Sequence, residues 1–376
     1  MAQALYLDHN ATTPLRPVAQ RAIAEALAAT GNPSSVHGFG RAQRRLVEDA
    51  RETVAALAGA SAESVVFTSG GTEANTLALL GAGCRRVLVS AVEHDSVLAA
   101  ADGAVRIPVD GDGVVEVAAL EALLAKAKPP VLVSVMLANN ETGVIQPVAA
   151  VAETAHRFGA LVHCDAVQGA GKLAFAMDDL GVDMLSLSAH KMGGPQGTGA
   201  LIVRSGTEIL PVVRGGGQER GLRAGTEAVA LIAGFGAAAA EAKDSGPTWP
   251  EIETLRDRIE AHVVKTAPGA RIFGRGAPRL ANTSCLAMPG VANEVQVMAF
   301  DLAGIAVSAG AACSSGTVGP SHVLGAMGAS ESDARSAIRV SLGWTTRADD
   351  ADRFAAAWTS LYERLAARAR ERTRAA

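Results

Sequence analysis

A lysine and an aspartate each stand at the end of an apolar, strand-like run in this chain. Lys191 directly follows the run Met184–Ser188, and Asp165 ends the run Leu161–Asp165. The carboxyl ends of strands in an open α/β sheet meet at one edge, so we expect both side chains there. An amine that forms an imine, beside a carboxylate that keeps a pyridinium nitrogen protonated, suits pyridoxal 5'-phosphate (PLP). A solvated loop lysine is the alternative interpretation of Lys191.

Two glycine-rich segments could bind a phosphate. In Phe67–Asn75 a strand, a glycine turn and a helix start follow each other, so the N–H groups of the first helical turn and the Thr72 hydroxyl could hold an anion. An ordinary capped helix is the alternative. Residues 214–227 combine glycines with three arginines and Thr226, and they could reach a phosphate or a neighbouring subunit's active site. A mobile surface loop is the alternative there.

Four more side chains could act on a cofactor or substrate. His94 follows a predicted strand and could stack on a flat ring, and Asn140 ends another strand, where its amide could hydrogen-bond the cofactor's phenolic oxygen or a carboxylate. Arg339 lies in an apolar run and needs a partner, either an amino-acid carboxylate or a structural salt bridge. Cys313 lies among small residues, where a thiol on a mobile arm could take an atom from a bound substrate.

The elements that must position these residues alternate between strand and helix. Short apolar runs recur at Val65–Thr68, Val87–Ser90, Val105–Val109, Val131–Met136, Leu161–Asp165, Met184–Ser188 and Ala200–Val203. Helix-patterned segments such as Glu73–Leu80, Glu116–Lys126 and Val148–Phe158 separate many of them. The alternation predicts an α/β fold whose central sheet is mostly parallel and covered on both faces. Pro and Gly near residue 245 predict a boundary between a large cofactor-binding domain (15–245) and a smaller α+β domain (1–14 and 246–376) that carries the Cys313 loop.

Composition excludes several classes of function. Lysine and arginine number 34 against 38 acidic residues, so neither nucleic acid nor an anionic membrane is expected as a partner. The N-terminal residues lack a secretory signal, and no apolar run approaches the roughly 18 residues of a membrane helix, which predicts a cytoplasmic protein. The four cysteines are widely spaced, which predicts free thiols and no metal site. Gly234–Ala239 matches a dinucleotide fingerprint but has no strand before it, which argues against nicotinamide or flavin binding.

Taken together, these segments resemble the cysteine desulfurases, which are fold-type I PLP-dependent transferases of the class V aminotransferase superfamily, and in particular the NifS/IscS-like group. The resemblance covers the chain nearly end to end and includes Tyr6–Pro14, Gly31–His37, the glycine turn at Ser69, Glu93–His94, Asn139–Glu141, Asp165, Gln168, the Lys191 segment, Arg220–Thr226, Cys313 and Arg339. The chain departs from the group around Cys313, where Ser-Ala-Gly-Ala-Ala-Cys-Ser-Ser replaces the usual Ser-Ser-Gly-Ser-Ala-Cys-Thr-Ser.

The resemblance implies a role for each of these residues. The catalytic residues would be Lys191, which joins to the cofactor, Cys313 and His94, which also stacks on the ring. Asp165 would pair with the ring nitrogen, and Gln168 and Asn140 would lie near the phenolic oxygen. The phosphate would be held by Gly71, Thr72, Ser188 and His190, with Thr226 contributed across a homodimer interface. Arg339 and Asn140 would bind the substrate, and no metal is implied.

The implied reaction converts L-cysteine to L-alanine. The amine of Lys191 removes the α-proton, the thiolate of Cys313 attacks the substrate sulfur, and the resulting persulfide passes its sulfur to an acceptor protein. Iron–sulfur cluster assembly is the expected pathway. The alternatives are a selenocysteine lyase or another class V aminotransferase-type enzyme, in which Cys313 matters less, and a non-enzymatic binding module on the same fold.

Overall fold

The structure is a computed structural model that describes residues 4–244, 249–310 and 320–375. Its strands are β1 (Leu5–Tyr6), β2 (Val65–Thr68), β3 (Arg86–Ser90), β4 (Val105–Ile107), β5 (Val131–Ser134), β6 (Leu161–Asp165), β7 (Met184–Ser188), β8 (Gly199–Val203), β9 (Arg271–Phe273), β10 (Thr283–Ala287), β11 (Ile305–Ala306), β12 (Ser308–Ala309) and β13 (Ala337–Ser341). Its helices are α1 (Pro17–Ala28), α2 (Gly38–Leu57), α3 (Gly71–Gly81), α4 (Asp95–Ala100), α5 (Val117–Leu124), α6 (Val148–Arg157), α7 (Met177–Leu180), α8 (Val229–Asp244), α9 (Trp249–Thr266), α10 (Asn293–Leu302), α11 (His322–Ala326), α12 (Glu331–Arg335) and α13 (Ala348–Ala375).

A mostly parallel sheet organises the first two thirds of the chain. Its strands lie in the order β2-β8-β7-β6-β5-β3-β4. The pairs from β7 to β4 are parallel, whereas β8 runs antiparallel to both of its neighbours. Only residues 189–198 connect β7 to β8, and this connection is shorter than the dozen residues that a parallel crossover needs. The α/β fold with a mostly parallel central sheet, predicted from the sequence, is confirmed.

The central strands are buried along their whole length because helices cover both faces of the sheet. Every residue of β5, β7 and β8 is buried, which explains why these strands read as continuous apolar runs. One covering layer depends on close contact between α2 and α8. A Cβ added at Gly236 of α8 would lie 2.7 Å from Cα and Cβ of Ala50 on α2. The glycines that mimic a dinucleotide fingerprint therefore lie within a helix, and Gly236 serves helix packing.

A second, antiparallel sheet in the order β12-β13-β10-β9 follows later in the chain. A separate core packs on it, with Phe300 and Phe354 stacked at 5.1 Å and Trp358 beside them. The N-terminal segment joins this region, because β1 pairs with β11 and Asp8 forms an isolated bridge with Ser341 at the end of β13. This pairing holds residues 8–12 next to the parallel sheet. The described residues include no helix that is both long and apolar enough to cross a bilayer.

Close backbone packing brings the glycine turn against the end of β7. Gly199, the first residue of β8, pairs with Thr68 on one side and with Ser188 on the other. A Cβ at Gly199 would lie 2.6 Å from the carbonyl carbon of Gly70, so only glycine allows this approach. The start of α3 and the end of β7 consequently face the same space.

Candidate active site

A cavity of about 330 Å³ opens at the carboxyl edge of the parallel sheet. Its walls contain nine of the twelve residues that the sequence singled out, namely Gly71, Thr72, His94, Asn140, Asp165, Gln168, Ser188, His190 and Lys191. Asn10, Ala11, Asn75, Ser96, Met136, Ala138 and Val167 complete the lining. Side chains that span residues 71–191 of the sequence therefore meet in one site of the size of a small-molecule pocket.

Asp165, at the end of β6, is held in place by two hydrogen bonds. The backbone N–H of Val167 donates to Oδ1 at 3.0 Å, and Nδ2 of Asn75 donates to Oδ2 at 2.7 Å. The residue is 6% exposed and forms no ion pair among the described residues. A buried carboxylate without a cationic partner is costly, so this aspartate is suited to a ligand that brings a positive charge.

A hydrogen-bonded chain connects Asp165 to the ring of His94. Asn75, on the first turns of α3, also donates to Oγ of Ser96 at 2.9 Å, and that hydroxyl lies 2.8 Å from Nδ1 of His94. Nδ1 accepts the backbone N–H of Ser96 at 3.1 Å and so caps α4. Because Nδ1 is an acceptor, a neutral His94 carries its proton on Nε2, and its ring is fixed in the cavity wall.

Lys191 lies on a short 3₁₀ turn, Ala189–Lys191, directly after β7. Its Nζ donates to the carbonyl oxygens of Asn10 at 2.6 Å and Ala11 at 2.8 Å. The same Asn10 carbonyl accepts Nε2 of Gln168 at 3.0 Å. Asn10 therefore connects the amine to the amide, and sequence reasoning assigned it no role, because it lies in an irregular segment with no periodic pattern.

The other end of the cavity is built for an anion. Gly71, Thr72, Ser188 and His190 are shared with an adjoining cavity of about 260 Å³, so this end is open. The first N–H groups of α3 have no acceptors within the helix and face this region. Burial and the charge of Lys191 lower the pKa of His190 to about 4, so its imidazole is neutral and can donate one hydrogen bond.

These donors fit PLP. The cofactor needs an amine for its aldehyde, a carboxylate for its ring nitrogen, hydrogen-bond donors for its phenolic oxygen and a cup for its phosphate. Lys191, Asp165 and the amide of Gln168 supply the first three from one cavity, and the α3 N-terminus supplies the fourth. No cluster of three His, Cys, Asp or Glu side chains in the described ranges could hold a metal ion.

Arg339 lies behind the cavity rather than in its lining. Its guanidinium, 1% exposed, forms an ion pair with Oδ1 of Asp8 at 2.7 Å and donates to the carbonyl of Asn140 at 3.1 Å. Its Nε is buried and has no hydrogen-bond partner among the residues that the structure describes. The second carboxylate oxygen of Asp8 accepts Oγ of Ser308 at 2.9 Å. A substrate carboxylate that reached Arg339 would therefore meet a guanidinium that Asp8 already holds.

Thr226 is exposed and does not line the cavity. The segment that carries it is anchored by Glu219, which is buried and receives two hydrogen bonds from Arg51, at 2.7 and 2.9 Å. Glu219 and Arg220 adopt left-handed backbone conformations, with φ of 46° and 57°, so the ion pair holds a strained turn. This anchoring indicates an ordered turn.

Cys313 lies outside the described residues. The other cysteines are poorly suited to nucleophilic chemistry. Cys164 and Cys285 are fully buried, and burial raises the pKa of both thiols. Cys84 precedes β3, at the opposite edge of the sheet from the cavity, and burial raises its pKa as well.

Comparison with known proteins places the chain among enzymes of one family. The sequence profile described as "Aminotransferase class-V" matches residues 5–354. A cysteine desulfurase of Cereibacter sphaeroides is 48% identical over 361 residues, or 92% of each chain, and cysteine desulfurase IscS of Dictyoglomus turgidum is 39% identical over 93% of this chain and 92% of the relative. The X-ray structure of a NifS-like protein from Rickettsia africae superposes with a TM-score of 0.88 at 35% identity, over 96% of this chain and all of the other.

Proposed function

Because this chain belongs to the class-V aminotransferase family, we infer that it is a PLP-dependent cysteine desulfurase, which converts L-cysteine to L-alanine and releases sulfur to an acceptor. The observation that carries this conclusion is the cavity in which Lys191, the buried carboxylate of Asp165 and an anion-binding helix start converge. Its relatives with 39–48% identity over most of their length are cysteine desulfurases, which supports the same reaction.

We propose the following roles for the cavity residues. Bound PLP supplies an electron sink that stabilises negative charge on the substrate's α-carbon. Lys191 holds the cofactor and then moves the α-proton, Asp165 keeps the ring nitrogen protonated, and Asn75 keeps Asp165 oriented. The phosphate would lie at the anion-binding end, between the start of α3 and Ser188.

We propose that Cys313 accepts the sulfur. Its thiolate attacks the substrate sulfur, an S–S bond forms, and the C–S bond breaks with its electron pair going to the carbon skeleton, which is then protonated to alanine. The enzyme is left with a persulfide. The burial of Cys164 and Cys285, and the remote position of Cys84, leave Cys313 as the cysteine best suited to this role.

Substrate recognition is proposed to depend on Arg339 and Asn140. These residues lie in contact, and Asn140 lines the cavity, so a carboxylate could reach both from the cavity side. Binding would require the substrate to share or replace Asp8 as the partner of the guanidinium.

We further propose a homodimer in which Thr226 of one subunit completes the phosphate site of the other. The exposed position of Thr226 and the open end of the anion site support this arrangement. Large exposed apolar side chains nearby, Leu80, Leu210, Val212 and Val213, are suited to a subunit contact. The proposed division into domains 15–245 and 1–14 with 246–376 is supported by the separation of the seven-stranded sheet from the four-stranded sheet. We also propose a cytoplasmic location, which rests on the sequence, and delivery of sulfur to iron–sulfur cluster assembly, which rests on the resemblance.

Persulfide formation tests the function directly. Purified protein with PLP and L-cysteine is expected to release alanine and to carry one persulfide, and Cys313→Ala should abolish the persulfide. Cys84→Ala, at the far edge of the sheet, is the matched control and should behave like the wild type. Persulfide on Cys313→Ala, or turnover of selenocysteine alone, would contradict the assignment.

A further inference from the structure

A second lysine lies beside Lys191, and the proposed mechanism gives it no part. Lys172 is one of only six lysines in a chain that otherwise uses arginine for positive charge, so two of the six meet at this site. It follows β6 and is 9% exposed. A buried lysine is rare unless it is paired with a carboxylate or has a specific task.

The partners of Lys172 are two amide oxygens. Nζ donates to Oε1 of Gln168 at 2.7 Å and to Oδ1 of Asn10 at 3.0 Å, and no carboxylate pairs with it within the described ranges. Two acceptors match the two hydrogens of an uncharged amine. An ammonium group would have a third hydrogen with no acceptor among these residues, which is costly in a buried site.

The surrounding charges favour the same uncharged state. Burial and the positive charges of Lys191 and Arg339 lower the pKa of Lys172 well below its ordinary value. His9 faces it from the N-terminal segment, and burial lowers the pKa of His9 to about 4, so this imidazole is neutral. Arg16 lines the same small cavity as these groups. The titratable groups that line this small cavity with Lys172 are His9, Arg16 and Lys191, and all three are basic.

The contact with Lys172 determines which way the Gln168 amide faces. Because Oε1 accepts from Lys172, Nε2 must lie on the other side, where it donates one hydrogen to the carbonyl of Asn10 at 3.0 Å. A flipped amide would set its N–H₂ against the donors of Lys172 and its oxygen against that carbonyl. The second Nε2 hydrogen has no other partner in the described part of the chain, and Gln168 lines the cavity.

Lys172 also orders Asn10, whose carbonyl receives Lys191. Oδ1 of Asn10 accepts from Lys172 and from Asn282, so its Nδ2 is directed to Thr283 at 2.9 Å and to the carbonyl of Asn140 at 3.2 Å. One amine thus fixes the orientation of two amides around the reactive lysine.

We propose that Lys172 is a positioning residue for the cofactor site: it holds the amide of Gln168 with its Nε2 donor on the cavity side and keeps Asn10 in place against Lys191. This inference rests on the proposed function, since it assigns the free Gln168 hydrogen to the phenolic oxygen of PLP. A donor at that oxygen stabilises its negative charge and so favours loss of the proton from the bound cofactor.

The test is a pH titration of the visible absorbance of PLP bound to the full-length protein. Lys172→Met removes both donors at similar length and should raise the midpoint by roughly one pH unit, the size expected when a hydrogen bond to a charged group is lost. Lys172→Gln restores an uncharged donor and should return most of the shift. Lys128→Met, at an exposed position, is the control for loss of a lysine and should leave the midpoint unchanged.

Three results would overturn the inference while leaving the desulfurase intact. An unchanged midpoint in Lys172→Met would exclude any influence on the cofactor. Equal shifts in Lys172→Met and Lys172→Gln would mean that charge, rather than donation to Gln168, is responsible. The same shift in a Gln168→Met background would mean that Lys172 acts by another route.

If Lys172→Met does not fold, Lys172→Gln decides alone, because a near wild-type midpoint supports positioning and a full shift refutes it. Wild-type protein without PLP absorbance or alanine formation would instead refute the proposed function.

Discussion

Removing the charge of Asp8 should weaken the fold and strengthen substrate binding at the same time. Asp8→Asn keeps the shape of the side chain and one oxygen for Arg339, but it leaves a guanidinium that is 1% exposed without its ion-pair partner. Breaking a buried ion pair costs about 3–5 kcal/mol, and the retained hydrogen bond places this variant near 3 kcal/mol. Urea titration should show that loss in the free energy of unfolding.

A substrate carboxylate would supply the charge that Asp8→Asn lacks. If the substrate complex of Asp8→Asn recovers about 1.4 kcal/mol of the lost ion-pair energy, substrate binding becomes tighter by that amount. We therefore expect a tenfold lower KM for L-cysteine. Asp178→Asn is the matched control, because Asp178 also pairs with an arginine at 2.7 Å but its side chain is 79% exposed. In that variant the free energy of unfolding should fall by less than about 1 kcal/mol, and the KM for L-cysteine should stay the same. If Asp8→Asn had an unchanged or higher KM, Arg339 would not be the carboxylate-binding residue, and unchanged stability would refute the energetic argument.

Two further predictions concern the sheet and its glycine contact. His163 lies between the hydroxyls of Ser134 and Ser186, each at 2.9 Å, and burial lowers its pKa to about 4. The unfolded chain takes up this proton near pH 6.5, so the stability that His163 provides is complete above pH 6.5 and is lost as the pH falls to 4, by about 3 kcal/mol. His163→Gln should remove that part of the pH dependence when the free energy of unfolding is measured by urea titration at several pH values. If this free energy fell equally steeply with pH in the variant and in the wild type, the prediction would be wrong. Gly199→Ala places a Cβ 2.6 Å from the carbonyl carbon of Gly70 and should weaken PLP binding at least tenfold, which corresponds to roughly 1.4 kcal/mol. A Cβ at Gly111 would meet open space, so Gly111→Ala is the control and should not change the PLP dissociation constant. Equal dissociation constants for Gly199→Ala and Gly111→Ala would refute the argument.

Local pattern predicted the large sheet well. The run predicted as Leu161–Asp165 is β6, and the run predicted as Met184–Ser188 is β7, because strands buried on both faces need uninterrupted apolar residues. Since parallel strands end at one edge, the meeting of Lys191 and Asp165 in one cavity also followed from sequence.

The contacts that orient the site could not be predicted in the same way. Asp8 and Arg339 are 331 residues apart and meet only because the N-terminal segment pairs with the second sheet. Asn10 lies in an irregular stretch, and Lys172 follows Gln168 by four residues in a turn, so neither has a periodic signal. Asn75 gave a weak signal in the sequence, since it is a polar residue on the buried side of α3.

The central claim is that one ε-amine, that of Lys191, binds PLP covalently. Borohydride reduction of the wild-type holoenzyme, followed by proteolysis and mass spectrometry, measures this directly, and with six lysines in the chain each candidate peptide can be distinguished. We expect the reduced cofactor on the peptide that contains Lys191. Its recovery on Lys172 or any other lysine, or the absence of a modified peptide, would contradict the account.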